Sequence, residues 1–195
     1  MKRLLLGTVL MCVAALPAMA ALKEGDSAPE FTAQASHAGK AFTFSLKKAL
    51  SKGPVVVYFY PSAYTGGCDI EAHTFAVDSE KFAAAGATII GVSLDSIERL
   101  NDFSADPKYC AGKFPTASDA GGTISKSYDI EVHQGPAGLK DVRGVEIGHG
   151  FADRVTFVIA KDGKIVSAIS KVSPTEHVAK ALETVQQLQA KSRGA

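Results

Sequence analysis

No Cys-x-x-Cys pair and no His-x-x-x-His pair occurs anywhere in the 195 residues. The first absence removes the compact dithiol of disulfide reductases and isomerases; the second removes a common nucleus of zinc sites. His37, His73, His133, His149 and His177 are scattered along the chain, so no metal centre is expected. An excess of charge is missing too, with 21 basic against 20 acidic residues. That balance argues against nucleic acid or an anionic membrane surface as the main partner.

The sequence has no long apolar run except MKRLLLGTVLMCVAALPAMA at its start. Lys2 and Arg3, an apolar stretch broken by Pro17, and the ending Ala18-Met19-Ala20 give the three-part form of a bacterial secretory signal. The stretch is too short and interrupted to be expected to span a membrane. Residues 1–20 are therefore expected to be cleaved, leaving 21–195 as a single domain in the periplasm. Without Lys2 and Arg3, 19 of the 21 basic residues face 20 acidic ones, a net charge of −1. Only Cys68 and Cys110 remain of the three cysteines, in a compartment that permits disulfides.

Apolar segments alternate with amphipathic ones, as in an α/β domain. Expected strands are Ala41–Phe44, Pro54–Tyr60, Thr88–Leu94 and Phe114–Ala117, followed by an Arg154–Ala160 and Lys164–Ser170 hairpin turning at Lys161-Asp162-Gly163. Pro54–Tyr60 is apolar at nearly every position, which suits a central strand covered on both faces. Helical patterns cover Leu46–Leu50, Gly67–Ala85, Ser96–Phe103, Thr123–Tyr128 and Ser173–Ala190. This order fits a thioredoxin-like sandwich without singling it out. Residues His133–Gly150 are Gly-rich and long for a connection, which suits a small hairpin, a lid or an interface loop.

The chemistry concentrates in PSAYTGGCDIEAHTF, residues 61–75, where the buried strand becomes a helix. A thiol reacts as its thiolate, and at a pKa of about 8.5 only about 3% is ionised at pH 7. Bringing the pKa to about 6 takes about 3.4 kcal/mol of differential stabilisation. A helix N-terminus supplies about 0.3–1 kcal/mol, whereas a cation about 4 Å away contributes about 4 kcal/mol at an effective dielectric constant near 20. A reactive Cys68 therefore calls for an arginine brought by the fold. Thr65 can direct its hydroxyl at the sulfur or at a bound oxygen. Gly66 and Gly67 let backbone N–H groups approach a small ligand, and Pro61 can shield the sulfur. Each also has a plain structural use: Thr65 as N-cap, Pro61 as strand terminator, Cys68 as a small buried residue.

Taken together, Pro61, Thr65 and Cys68 form Pro-x-x-x-Thr-x-x-Cys in a strand-to-helix context, and this resembles the active-site motif of the peroxiredoxins. The resemblance continues through GVSLDSIERLNDF, FPTASD, SKSYDI and DRVTFVIAKDGKI, and is greatest to the PrxQ or bacterioferritin comigratory class. It implies a thioredoxin-like fold with a central mixed β-sheet flanked by helices, and a thiol peroxidase without cofactor or metal. Cys68 would be the peroxidatic cysteine and Arg154 the active-site arginine. Many PrxQ proteins carry a resolving cysteine five residues after the peroxidatic one, where this chain has His73; others place it later, and KYCAGKF supplies Cys110. The implied partners are a peroxide and a thioredoxin-like dithiol reductant, with a monomer or weak homodimer sufficient. The competing readings are a thioredoxin-like disulfide oxidoreductase, disfavoured by Glu71 at the place of a second cysteine, and a non-enzymatic binding protein stapled by a permanent Cys68–Cys110 disulfide.

Overall fold

A computed structural model describes residues 21–194, so the expected signal, residues 1–20, lies outside the described residues. Its centre is the apolar run already singled out. Val55–Phe59 forms strand β3 and is fully buried, because helices cover both faces of the sheet it sits in. Strand alternation divides its side chains between two cores. Val55, Val57 and Phe59 enter one; Val56 and Tyr58, with Tyr60 just beyond the strand, enter the other.

The remaining elements, in chain order, are β1 (Thr32–His37), β2 (Lys40–Ser45), α1 (Leu46–Leu50), α2 (Gly66–Ala84), β4 (Thr88–Ser93), α3 (Ile97–Ala105), β5 (Thr116–Ser118), α4 (Thr123–Ser127), β6 (Val132–His133), β7 (Phe151–Ala152), β8 (Val155–Ile159), β9 (Ile165–Ser170) and α5 (Pro174–Arg193). The seven-stranded sheet runs β2-β1-β5-β4-β3-β8-β9. It is mixed: β3 and β4 are parallel, as are β4 and β5, while the other pairings are antiparallel. One core packs beneath α1 and α4 through Leu46, Leu50, Ile124 and Tyr128. The other lies under α2, α3 and α5 and contains both Cys68 and Cys110.

The expected elements are present with ends shifted by a few residues. Strand β1 was not expected, because TAQASH is poor in β-branched and aromatic residues and is held by its two antiparallel neighbours rather than by propensity. The stretch at 133–150 is bracketed by a two-residue pairing of β6 with β7 and contains a tight turn closed by a Lys140–Glu146 bridge. Helix α5 begins with a complete capping box: Ser173 accepts from the Glu176 N–H, and the Glu176 carboxylate accepts from the Ser173 N–H.

Helix α2 is set by the aromatic layer beneath it. The Tyr58 ring stacks on Phe75 of α2 at 4.6 Å and on Tyr60 at 5.2 Å. It fits only because its β4 neighbour is Gly91: a Cβ there would lie 2.7 Å from the ring. Gly91→Ala is therefore expected to destabilise the protein by about 1–3 kcal/mol in denaturant titration, the usual cost of overpacking a close-packed core. A change within about 0.5 kcal/mol would contradict this packing.

Candidate active site

After β3, Pro61–Thr65 turns the chain into α2. Tyr64 takes a left-handed backbone conformation, φ 59°, which a bulky residue adopts only when its surroundings impose it. Those surroundings are a buried carboxylate. Asp95 accepts from the Ser62 hydroxyl (2.9 Å), the Ala63 N–H (2.8 Å) and the Ser93 hydroxyl (2.7 Å). Arg99 ties the same turn from the other side, donating to the Ala63 carbonyl at 2.8 Å. Burial alone would raise the Asp95 carboxyl, but these donors together with His149 outweigh it and hold it below the ordinary range. Asp95, Arg99 and His149 support the site without standing out in the sequence. The only cue was an acid placed just after a buried strand.

Thr65 occupies the N-cap position of α2 but makes no side-chain cap bond. Its hydroxyl donates instead to the Ser62 carbonyl at 2.7 Å, and it also helps draw the Cys68 thiol downward. Cys68 lies in the first turn, 2% exposed, its N–H bonded to the Thr65 carbonyl at 2.8 Å. The arginine that the chemistry required is present: Arg154 Nη2 lies 3.2 Å from Cys68 Sγ. Gly67 makes room for it, since a Cβ there would lie 3.2 Å from that same Nη2 and 3.5 Å from Pro174. The second glycine thus admits the guanidinium, while Gly66 faces open space. Pro61 stands half-buried at the head of the turn.

Arg154 does not serve Cys68 alone. Its Nη1 pairs with the carboxylate of Glu71, one helical turn beyond Cys68 and fully buried. Burial pushes the Glu71 carboxyl up to about 7, against the pull of Arg154. Behind it, His177 of α5 bonds Thr156 through Nδ1 at 2.9 Å and lies 3.9 Å from Glu71. Burial and the nearby Arg154 hold His177 down at about 4, so it is a neutral imidazole. In sequence Glu71 stood out only as the residue at the place of a second cysteine, and His177 only as one of five scattered histidines.

Burial pushes the Cys68 thiol above its ordinary value, and Arg154, the Ser62 backbone and Thr65 offset only part of that rise. One guanidinium faces two buried acids, and their titrations are coupled through it. No cation among the described residues offsets the burial of Cys110: burial raises its thiol strongly, and Asp106 and Asp69 add to the rise. It is fully buried in the turn that follows α3, and both cysteines are free thiols. His73, at the alternative resolving position, bonds the Lys108 carbonyl at 3.1 Å and so links α2 to that turn. Among the described residues, only Glu131, His133 and Asp153 bring three ligand-type side chains together; they are exposed and include neither cysteine.

Comparison with known proteins matches residues 25–168 to the AhpC/TSA family. Peroxiredoxin Bcp of Bacillus subtilis is 32% identical over 168 residues, which cover 86% of this chain and 97% of that protein. The crystal structure of peroxidoxin BcpB from Mycobacterium tuberculosis superposes with a TM-score of 0.69 at 31% identity, covering 85% of this chain and 97% of that one. A Xanthomonas campestris bacterioferritin comigratory protein, solved in a study of its alkyl peroxide reduction, superposes with a TM-score of 0.65 at 27% identity, covering 82% and 92% of the two chains.

Sharing of Arg154 makes a signed prediction. Glu71→Gln keeps an acceptor for Nη1 but removes the competing charge, so Cys68 should ionise at lower pH. Titrating the thiolate by its ultraviolet absorbance should give about tenfold more thiolate at a fixed pH below the midpoint. Less thiolate in Glu71→Gln would mean that Glu71 acts only by orienting Arg154.

Proposed function

The chain belongs to the AhpC/TSA family, and on that premise we propose that Cys68 is its peroxidatic cysteine and Cys110 its resolving one. The protein is a peroxiredoxin, a thiol peroxidase that acts on peroxides with a thioredoxin-type reductant. The assignment to Cys68 rests on one observation: its sulfur is 3.2 Å from the Arg154 guanidinium at the start of a helix.

In this reading the Cys68 thiolate attacks one peroxide oxygen and the O–O bond breaks. Sulfur is oxidised to sulfenic acid, and the leaving hydroxide or alkoxide takes up a proton to become water or alcohol. Charge on the leaving oxygen develops beside Arg154 and the first N–H groups of α2, where fixed donors are most effective. Thr65 donates to the Ser62 carbonyl, so its oxygen stays free to accept from the bound peroxide. Cys110 then attacks the sulfenic sulfur, water leaves, and the Cys68–Cys110 disulfide forms. A dithiol partner reduces it by exchange. Both cysteines are buried, so this step needs local opening of their segments.

Alkyl hydroperoxides are proposed substrates alongside hydrogen peroxide, supported by the alkyl peroxide reduction studied in the Xanthomonas relative. Export to the periplasm, with cleavage before Ala21, is supported by the basic start, apolar run and Ala18-Met19-Ala20 ending. A monomer or weak homodimer suffices for an intramolecular cycle.

Stopped-flow mixing of the reduced protein with hydrogen peroxide tests the assignment. Cys68→Ser should abolish the fast oxidation, whereas Cys110→Ser should retain it and accumulate sulfenic acid. Fast oxidation surviving in Cys68→Ser would overturn the peroxidatic assignment, and wild-type turnover by Cys110→Ser would overturn the resolving one.

A further inference from the structure

His149 stands two residues before β7, and its ring meets an acceptor at each nitrogen. Nδ1 lies 2.8 Å from the Gly150 carbonyl, and Nε2 lies 2.8 Å from the Asp95 carboxylate. A carbonyl offers no proton, and the Asp95 carboxyl is held ionised, so both nitrogens must donate. The ring is therefore an imidazolium. Burial alone would weaken its hold on the second proton, but the bonds to Asp95 and Gly150 outweigh burial and the nearby Arg99 and raise it above its ordinary value. Asp95 is fully buried, whereas the His149 side chain is 19% exposed and lines a cleft of about 600 Å³ with Lys126 and Gln134. Protons of the medium thus reach the pair at His149.

Asp95 links that ring to the reacting turn. One of its oxygens takes the His149 and Ser62 donors, and the other takes the Ala63 N–H and the Ser93 hydroxyl. Ser62 in turn accepts from the Thr65 hydroxyl, and its backbone is among the groups that draw the Cys68 thiol down. Along the chain, His149 leads through β7 to Arg154. One ring therefore joins the turn that carries Cys68 to the segment that carries its arginine. Arg99 of α3 also faces Asp95, at 2.8 Å, and pairs with Asp141 of the tight 139–147 hairpin at 2.8 Å. Asp141 is bound as well by Arg143, which lies over the Tyr64 ring, 3.3 Å from its centre. Lys126 of α4 stands across the cleft. Both carboxylates are held below the ordinary range and arginine does not titrate, so His149 is the member of this cluster that changes charge near neutral pH.

We propose that His149 is a positioning residue for the peroxide reaction, holding the Pro61–Thr65 turn through Asp95 so that Cys68 meets Arg154. The inference rests on Cys68 being the peroxidatic cysteine. A raised imidazole keeps both protons below the ordinary pKa of about 6.5 and loses one as the pH climbs through its higher value in the fold. The neutral ring donates from one nitrogen only, which leaves a lone pair facing an oxygen at 2.8 Å. One of the two contacts is then given up, and the ring leaves the place from which it braces Asp95. The hold on the turn is complete in mild acid and weakens as the pH rises, whereas the thiolate fraction of Cys68 grows. The two trends oppose each other, and this makes them separable.

Stopped-flow oxidation of the reduced protein by hydrogen peroxide, repeated across pH, reads this out. Each chain's second-order rate is divided by the thiolate fraction from its own ultraviolet titration. Well below about pH 6.5, wild type should then exceed His149→Leu by about tenfold, the scale of losing one charge-assisted bond. The ratio should shrink towards one as the pH rises through the titration of the His149 ring, followed by proton NMR. His149→Gln, which can donate to Asp95 but carries no titrating charge, should lie between the two in acid. It is read in the same way should His149→Leu fail to fold. A ratio of wild type to variant that is the same at every pH, whether large or close to one, overturns the proposal. If the wild-type protein shows no fast oxidation of Cys68, the peroxidatic assignment fails by itself. The hold on the turn is then decided by amide exchange at Ala63, whose N–H bonds Asp95. Faster exchange in His149→Leu in mild acid upholds it, and unchanged exchange overturns it.

Discussion

Arg154 supplies one positive charge to two buried acids, Cys68 and Glu71, and much of the site follows from how that charge is divided. Removing a thiolate or a carboxylate from water is costly, and among the described residues neither group has a second cation beside it. When Glu71 is ionised it holds much of the guanidinium's charge. When it is protonated, Cys68 has the whole of it. Neutral His177 adds no competing charge, and the capping box fixes the helix end from which it projects.

The surroundings keep this arrangement dry and rigid. Gly67 gives the guanidinium its space, the Tyr58–Phe75 stack supports α2 from below, and Asp95 fixes Ser62 and Ala63 while Tyr64 remains in its left-handed conformation. Rigidity suits the first half of a peroxidase cycle and obstructs the second. Both thiols are buried, and the residues beside them, Tyr64 and Tyr109, pack together under the 139–147 hairpin.

What the sequence made legible was whatever a local pattern can carry. The apolar run ending at Tyr60 marked a central strand, the Lys161-Asp162-Gly163 turn marked a hairpin, and Pro61, Thr65 and Cys68 marked a site at a strand-to-helix junction. Strand β1 was hidden because tertiary pairing, not propensity, makes it extended. Asp95, Asp141 and Arg143 were hidden for a related reason: a lone acid or arginine in sequence says nothing about how many buried donors or rings it will meet. Thr65 stood at the N-cap as its plain structural use required, yet its hydroxyl bonds Ser62 because the left-handed Tyr64 turns the chain beneath it. At Cys68 the need for a nearby cation was legible, whereas the burial of the thiol and the competing Glu71 were not.

The central claim is that the Arg154 guanidinium, in its present geometry, activates Cys68 toward peroxide. The second-order rate of Cys68 oxidation by hydrogen peroxide in Arg154→Lys tests it most directly, because lysine keeps the charge but loses the planar fork that reaches Glu71 and Cys68 together. The account predicts a fall of about a hundredfold or more, comparable to removing one donor from a preorganised anion site. A rate within about twofold of wild type would contradict it.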